Sequence, residues 1–280
     1  MTSMIREIDA TDECLTGQRL YGDDFGTAEI ANWYKDEENA YFEQATAKNP
    51  ESPNSDYPYE YAAFNRLHGG RSLAKRRFGT CVVLGCANGQ DVKPLAGQVD
   101  KFVALEPAEK WWRTEIGGTP AEYLKPAITG DIPLPDGCAD LAIAFGVLHH
   151  IPNVSHVVGE LARVLKPGAT FILREPVISM GDWRRPRPGL TKHERGIPPK
   201  LLQSILTTHG FYITKATPVM VPLIPRFARL LGIRHAYNSS WLVRLDASLS
   251  RLLWRNFRYH RVALIHKFAP TSMFIVATRP

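Results

Sequence analysis

Cys81-Val82-Val83-Leu84-Gly85-Cys86-Ala87-Asn88-Gly89 is the stretch that decides how the rest of the chain is read. A short apolar, β-prone run ends in glycine, and a second glycine four residues later opens a predicted helix over 90–97. Strand, tight turn and helix N-terminus in that order bring main chain close to a ligand, because glycine carries no side chain to hold a ligand off and tolerates positive φ. The spacing argues against a dinucleotide cradle, which needs G-x-G-x-x-G; here Ala87 and Gln90 stand at the second and third glycine positions.

The segments that follow suit a different adenosine-containing ligand. A predicted strand over 102–105 ends in Glu106, seventeen residues past Gly89, where an open α/β sheet places a carboxylate to accept from both ribose hydroxyls. Gly130-Asp131-Ile132-Pro133-Leu134-Pro135 reads as a strand end carrying a second acid, suited to an adenine amino group. A strand over 140–145 leads into Gly146-Val147-Leu148-His149-His150-Ile151-Pro152, and Leu165-Lys166-Pro167-Gly168 precedes a strand over 170–173. Right-handed crossovers between such units make a parallel sheet with helices on both faces, and gather these motifs at the carboxyl rim.

Five motifs in this order, V-L-G-C-A-N-G, L-E-P, G-D-I-P-L-P-D, G-V-L-H-H-I-P and L-K-P-G, resemble a class I S-adenosylmethionine-dependent methyltransferase of the broad group acting on small molecules, lipids and sugars. The resemblance covers residues 81–211 and extends to a last strand over 271–278. It implies an α/β, Rossmann-like sheet of seven mostly parallel strands with the last antiparallel. An N-terminal helical cap over 1–78, a core over 79–217, a basic helical insertion over 218–270 and the last strand over 271–280 complete the expected organisation. The implied cofactor is S-adenosyl-L-methionine, held by Gly85, Cys86, Ala87, Asn88, Gly89, Asp91, Glu106, Pro107, Asp131, Ile132 and Phe145. Two positions depart from the pattern: Val83 stands where the family often has an acid, and Ala87 replaces the middle glycine. The missing acid leaves Asp91 as the candidate contact for the methionine amino group.

With 280 residues and a hydrophobic fraction of 44%, the chain can bury one large α/β core with room for additions. Its four cysteines form no C-x-x-C pair, which points to reduced thiols and no structural metal. No apolar run approaches the roughly 20 residues that cross a bilayer, and no targeting segment is evident, so the expected setting is cytoplasmic. The net charge of +6 is uneven: the first sixty residues are acidic and the last sixty basic. Zinc-knuckle and RNA-recognition patterns are lacking, which disfavours nucleic acid as a partner.

Outside the core, residues 1–18 are expected to be loosely held, and a helix starting near Thr27 presents Ile30, Trp33, Tyr34, Glu37 and Tyr41 on one face. A turn-rich connector over 49–59 and a helix over 60–68 follow. After the strand at 170–173 comes a loop of over twenty residues, 174–198, whose length marks it as functional and whose Met180 and Trp183 read as anchors. In the insertion, Leu242, Leu245, Leu249, Leu252 and Leu253 form an apolar stripe, and Arg244, Arg251, Arg255, Arg258 and Arg261 add positive charge. This reads as a capping helix with a solvated basic face or, alternatively, as a peripheral contact over 225–267 with a membrane or anionic substrate, at the inner membrane surface.

Methyl transfer to a hydroxyl requires alignment, exclusion of water and a place for the acceptor's proton. His149 and His150 follow a strand at the rim and titrate near neutrality when unperturbed. His193 and Glu194 in the long loop are equal rivals, with Glu175 able to orient one of them. Trp183 with Arg184 and Arg187 offers an aromatic plane beside bidentate donors as a wall for a substrate, with Tyr21 and Trp33 contributed by the N-terminal segment. R-E-P-V-I-S-M-G-D-W-R, Y-G-D-D-F and T-K-H-E-R-G-I-P are similar to methyltransferases that accompany bacterial surface-polysaccharide synthesis, which implies a sugar as acceptor. A lipid or quinone acceptor, or a non-catalytic module that binds the cofactor, are the other readings.

Overall fold

The computed structural model describes residues 12–48 and 59–280, with backbone alone for 38–48 and for residue 71. The expectations for residues 1–11 and 49–58, and for the side chain of Tyr41, lie outside the described residues. In chain order the helices are α1 (Asp12–Thr16), α2 (Thr27–Lys48), α3 (Ala62–Leu73), α4 (Val154–Val164), α5 (Pro199–Thr208), α6 (Leu223–Leu230) and α7 (Ser240–Leu253). The strands are β1 (Phe78–Leu84), β2 (Val99–Leu105), β3 (Glu115–Ile116), β4 (Thr119–Leu124), β5 (Ala139–Phe145), β6 (Leu165–Pro176), β7 (Tyr212–Val219) and β8 (Ser272–Thr278).

One eight-stranded sheet runs in the order β3-β4-β2-β1-β5-β6-β8-β7. β4, β2, β1, β5 and β6 are parallel, while β8 lies antiparallel between β6 and β7. The Rossmann-like class is as expected, but among the described residues there are eight strands, not seven. The addition is the two-residue β3, paired to β4 through the Gly117-Gly118 turn, where both residues have positive φ. Near-continuous apolar runs in β1, β5 and β6 are what a sheet covered on both faces requires. α4 and α5 cover one face through Val157, Val158, Leu161, Leu202 and Leu206. α3, α6 and α7 cover the other through Phe64, Ile224, Leu242 and Val243, packed with Phe274. A third cluster of Leu15, Tyr21, Trp33, Trp183 and Tyr259 joins the N-terminal segment to the long loop.

Three local readings are corrected. The helix expected over 90–97 is a 3₁₀ turn over Lys93–Gln98, where Pro94 removes a donor and Gly97 weakens the last turn. Beside it the sheet face opens into a cleft of about 530 Å³ bounded by Asn65, Gly69, Asp91, Leu95, Phe145 and Phe274. Residues 130–135 are not a strand end but part of the loop between β4 and β5. Pro133 and Pro135 cannot donate to a ladder there. The strand expected over 170–173 is the twelve-residue β6, which carries Arg174 and Glu175 inside the sheet.

Candidate functional site

β1 lies between β2 and β5, so strand order reverses there, and the carboxyl ends of these strands form a crevice. Gly85 and Gly89 are both in the left-handed region, at φ +56° and +82°. A Cβ on Gly85 would stand 2.8 Å from Val147 Cγ1, and one on Gly89 would stand 2.5 Å from Ile116 Cδ1. Both positions therefore demand glycine. Ala87 adopts φ +46° without that freedom. Its N–H donates to Glu106 Oε2 at 2.9 Å, and the Ala108 N–H donates to Glu106 Oε1 at 3.0 Å.

Glu106 thus ties the loop after β1 to the end of β2. Each of its oxygens has accepted one hydrogen bond and keeps a second acceptor direction. Burial holds this carboxyl above the usual range, against the two amide contacts that lower it. Pro107 follows it directly, and Cys86 is buried with its thiol pushed up by burial.

Asp91 is the most perturbed acid of this crevice. Burial pushes it up to about 7, against the Arg174 charge and local N–H groups that lower it. Its Oδ1 has no partner, and the same holds for the buried Asn88 Oδ1. Two unsatisfied acceptors beside a glycine loop are what a ligand rich in donors would complete. Asp131 is exposed, and its carboxylate is held low by Thr129 and His156, with His156 Nε2 at 2.8 Å. Ile132 is buried, and its N–H donates to Glu160 Oε2. Phe145 ends β5 and borders the cleft, stacking its face toward Arg174 at 5.4 Å.

Across the crevice a second network is built from four separate segments. Glu175, fully buried at the end of β6, accepts from the N–H groups of Val147 and Leu148 at 3.0 Å each. Its other oxygen takes His149 Nδ1–H at 2.8 Å. His149 Nε2 lies 3.7 Å from Glu194 Oε1. Burial alone would lower the His149 pKa, but the two carboxylates raise it to about 9. Burial would raise Glu194, but His149 and His150 bring it down to about 2. At neutral pH the pair is therefore imidazolium and carboxylate. His150 is half-buried beside it, ring centroids 4.1 Å apart, with Nδ1 2.8 Å from Glu37 Oε2. Glu37 also accepts from the Thr191 hydroxyl and the His193 N–H.

The structure brings His149, His150, Glu175 and Glu194 together but sets the His193 ring apart. That ring pairs with Asp36 at 2.7 Å and stacks on Trp33 at 4.6 Å; burial lowers its pKa against the pull of Asp36. The expected substrate wall is also not an open one. Trp183 is buried and stacked on Tyr21, centroids 5.2 Å apart. Arg184 pairs with Asp182. Arg187 spends its donors on the carbonyls of Met180, Thr191, Lys192 and Glu194. These residues shape the loop that delivers Glu194. Trp33 serves the same frame, donating from Nε1 to the His150 carbonyl at 2.8 Å.

Two residues of this network were not read from the sequence as site residues. Glu37 was legible only as an acid inside an apolar helical stripe. Arg195 gave no signal, yet it is fully buried and donates to the carbonyls of Tyr21, His149, Ile151 and Pro152, which binds the loop after β6 to the turn after β5.

Comparison with known proteins places this geometry in a context. Residues 82–173 match the family model described as a methyltransferase domain. A probable S-adenosylmethionine-dependent methyltransferase of Mycolicibacterium smegmatis is 27% identical over 142 residues, which is 50% of this chain and 55% of that protein. An uncharacterized 37.1 kDa protein in a transposon of Streptomyces fradiae is 28% identical over 106 residues, or 36% of this chain and 29% of that one. The chain thus spans about half the length of the first of these relatives and less than a third of the second. Among solved structures, an S-adenosylmethionine-dependent methyltransferase from Mesorhizobium loti is similar with a TM-score of 0.54 at 19% identity, covering 78% of this chain and 98% of that one. A phosphoethanolamine N-methyltransferase of Haemonchus contortus, solved with S-adenosylhomocysteine, gives 0.52 at 14% identity, covering 78% and 53%. These likenesses carry the fold. The family match adds that residues 82–173 are similar to a methyltransferase domain.

Proposed function

We propose that this protein transfers a methyl group from S-adenosylmethionine to a hydroxyl of a small-molecule acceptor, with a sugar or sugar-containing precursor as the acceptor class. The single observation that carries the reading is the pairing, across one crevice, of an unsatisfied acceptor set at the glycine loop with a buried His149–Glu194 network. Glu106, Asn88 and Asp91 would hold the ribose and the methionine amino group, and Asp131 would face the base. When bound, the cofactor supplies a methyl on a sulfonium, whose sulfur takes the electron pair of the broken C–S bond. The acceptor oxygen forms the new C–O bond, and its proton passes to the cluster at His150 or Glu194, with His149 already protonated and holding the Glu194 carboxylate. The chain's main contribution is alignment and exclusion of water, which supplies on the order of 7–11 kcal/mol in favourable cases. Labelled methyl transfer to sugar nucleotides and glycan extracts tests this. Cofactor binding without turnover on any extract would leave a binding module instead.

A lipid-linked acceptor is the second reading, favoured by the surface of the insertion. Phe227, Leu230, Leu231, Trp241, Val262, Leu264 and Ile265 are exposed, Leu230 at 85%, among the exposed Arg226, Arg229, Arg244 and Arg255. No described helix is long and apolar enough to cross a membrane, so this surface would lie on anionic lipid, as a cytoplasmic protein visiting the inner membrane surface would. Sedimentation with anionic vesicles, lost when Leu230 and Leu231 are changed to serine, supports it. Equal recovery with neutral and anionic vesicles, or none, removes it.

A further inference from the structure

The His149, His150 and Glu194 cluster has a property that proton handling does not require. One ligand-capable atom of each residue lies within 4.8 Å of the other two, so three donors converge on one point. Each histidine has its Nδ1 engaged by a carboxylate, His149 by Glu175 and His150 by Glu37, both at 2.8 Å. This is the arrangement that fixes ring orientation in metal sites, where a ligating histidine gives its other N–H to a carboxylate. It leaves the two Nε2 atoms for a cation. Glu37 and Glu175 are themselves held by further donors, the Thr191 hydroxyl and the N–H groups of Val147, Leu148 and His193, so the outer layer is complete before any ion arrives.

We propose that His149, His150 and Glu194 form a binding site for one divalent first-row transition metal ion, in a two-histidine, one-carboxylate arrangement with its remaining positions open. The cysteine spacing led to the opposite expectation, because it weighs only thiolate sites. Imidazole and carboxylate donors select ions of the zinc, cobalt, iron or manganese kind over calcium. Such ions hold N and O ligands at about 2.0–2.2 Å. The 3.7 Å between His149 Nε2 and Glu194 Oε1 suits that radius, and a small side-chain adjustment closes the widest separation. Binding requires the Nε2 proton of His149 to leave to solvent, so metal uptake releases a proton. The inference rests on the methyl-transfer reading only for its use and revises the proton step there: with an ion bound the cluster would no longer take the proton, and the ion would bind the acceptor's hydroxyl oxygen and lower its pKa, so that the proton departs to solvent as the C–O bond forms. The site itself does not depend on that reading.

The test uses the untagged full-length protein, stripped with chelator and titrated with Co²⁺ while visible absorption is recorded. Two variants change ligands other than His149, which Glu175 holds, namely His150→Ala and Glu194→Gln, and His235→Ala controls for surface histidines, since it pairs with the exposed Glu60. The expected result is one Co²⁺ per chain with a coordination spectrum, affinity at least ten-fold weaker in His150→Ala and Glu194→Gln, and no change in His235→Ala. Absence of binding by the folded protein, or equal binding in all four proteins, overturns the site and leaves the cluster as a buried ion network only. Calorimetry with S-adenosylhomocysteine on the metal-free protein is run in parallel. Metal uptake without cofactor binding would remove the methyltransferase reading and keep the metal site, and the reverse would do the opposite.

Discussion

The two walls of the crevice are built on opposite principles. On the glycine-loop side, the one proposed for the cofactor, the work is done by main chain close in sequence: two glycines in the left-handed region with no room for a Cβ, an alanine at positive φ, and one acid whose oxygens accept amides at 87 and 108. On the opposite side, the one proposed for the acceptor, it is done by side chains from α2, the turn after β5, the end of β6 and the long loop, with Glu37, Glu175 and the two histidines paired to one another. A wall made of backbone tolerates change at its side chains, whereas a buried ionic network fails when one member is removed. The glycine-loop wall keeps two unsatisfied acceptors, Asn88 Oδ1 and Asp91 Oδ1, at its own polar side chains, whereas on the other side the unpartnered atoms, Tyr21 Oη, Trp183 Nε1 and His193 Nδ1, lie in the frame around the ion network and not in the His149, Glu175 and Glu194 set itself.

The largest effect is therefore expected at Glu175. Glu175→Gln puts an amide donor against N–H groups and leaves the His149 charge with one carboxylate fewer. Breaking a buried pair in this way costs about 3–5 kcal/mol. Urea unfolding should show that loss at pH 7, together with a His149 pKa lowered toward its ordinary value by NMR. A loss below 1 kcal/mol would mean that the acceptor wall is not a cooperative network.

Glu106→Gln should cost less stability than Glu175→Gln and more affinity. It too sets an amide NH2 against one backbone N–H, of Ala87 or Ala108, but it strands no buried cation, and it weakens charge-assisted acceptance, at about 1.5–3 kcal/mol per such bond. Calorimetry with S-adenosylhomocysteine should show binding weakened by about 10- to 100-fold. Unchanged affinity would move the ribose away from this residue.

The sequence disclosed these walls unequally, for a physical reason. The cofactor wall and the strands under it are local: an apolar run, a turn and an acid at a strand end are contiguous patterns, and they lie where they were expected. What was misread there was also local. Pro94 shortened a helix, Pro133 and Pro135 removed a strand end, and the Gly117-Gly118 pair added a hairpin that composition already signalled. The acceptor wall joins residues up to 174 positions apart, as in Arg195 with Tyr21, and no period or spacing encodes such a meeting. Its histidines and glutamates were nameable as candidates, but which ones face each other was not. Glu37 and Arg195 were missed because a lone acid on a helix and a lone arginine in a loop carry no pattern.

Asp91 sharpens the comparison by pH. Its folded pKa, about 7, stands above its unfolded value near 4, so the protonated acid is the better accommodated form. Its contribution to stability is present in full below the unfolded pKa and is lost as pH rises through about 7. Asp91→Asn should therefore raise Tm at pH 8 by at least about 2–4 °C and flatten the dependence between pH 6 and 8. A cationic amino group from the cofactor would favour the charged carboxylate, so S-adenosylhomocysteine should bind the native protein more tightly at pH 8 than at pH 6, and the variant equally at both. Equal binding by the native protein would take Asp91 out of the cofactor site.

The smallest effect belongs to Ala87, and its sign separates strain from packing. At φ +46° an alanine costs roughly 1–2 kcal/mol relative to glycine, which has no Cβ to meet the following carbonyl. Against this, glycine adds freedom to the unfolded chain, worth about 0.4–1 kcal/mol. Ala87→Gly should leave stability within about 1 kcal/mol of the native protein, on the favourable side, because relief of the loop exceeds the added entropy by little. The Ala87 N–H to Glu106 survives the change, so cofactor affinity should stay within about two-fold. Destabilisation beyond 1 kcal/mol in thermal or urea unfolding would show that the alanine methyl is packed and not merely tolerated. The cofactor wall would then depend on side chains after all, and its contrast with the acceptor wall would narrow.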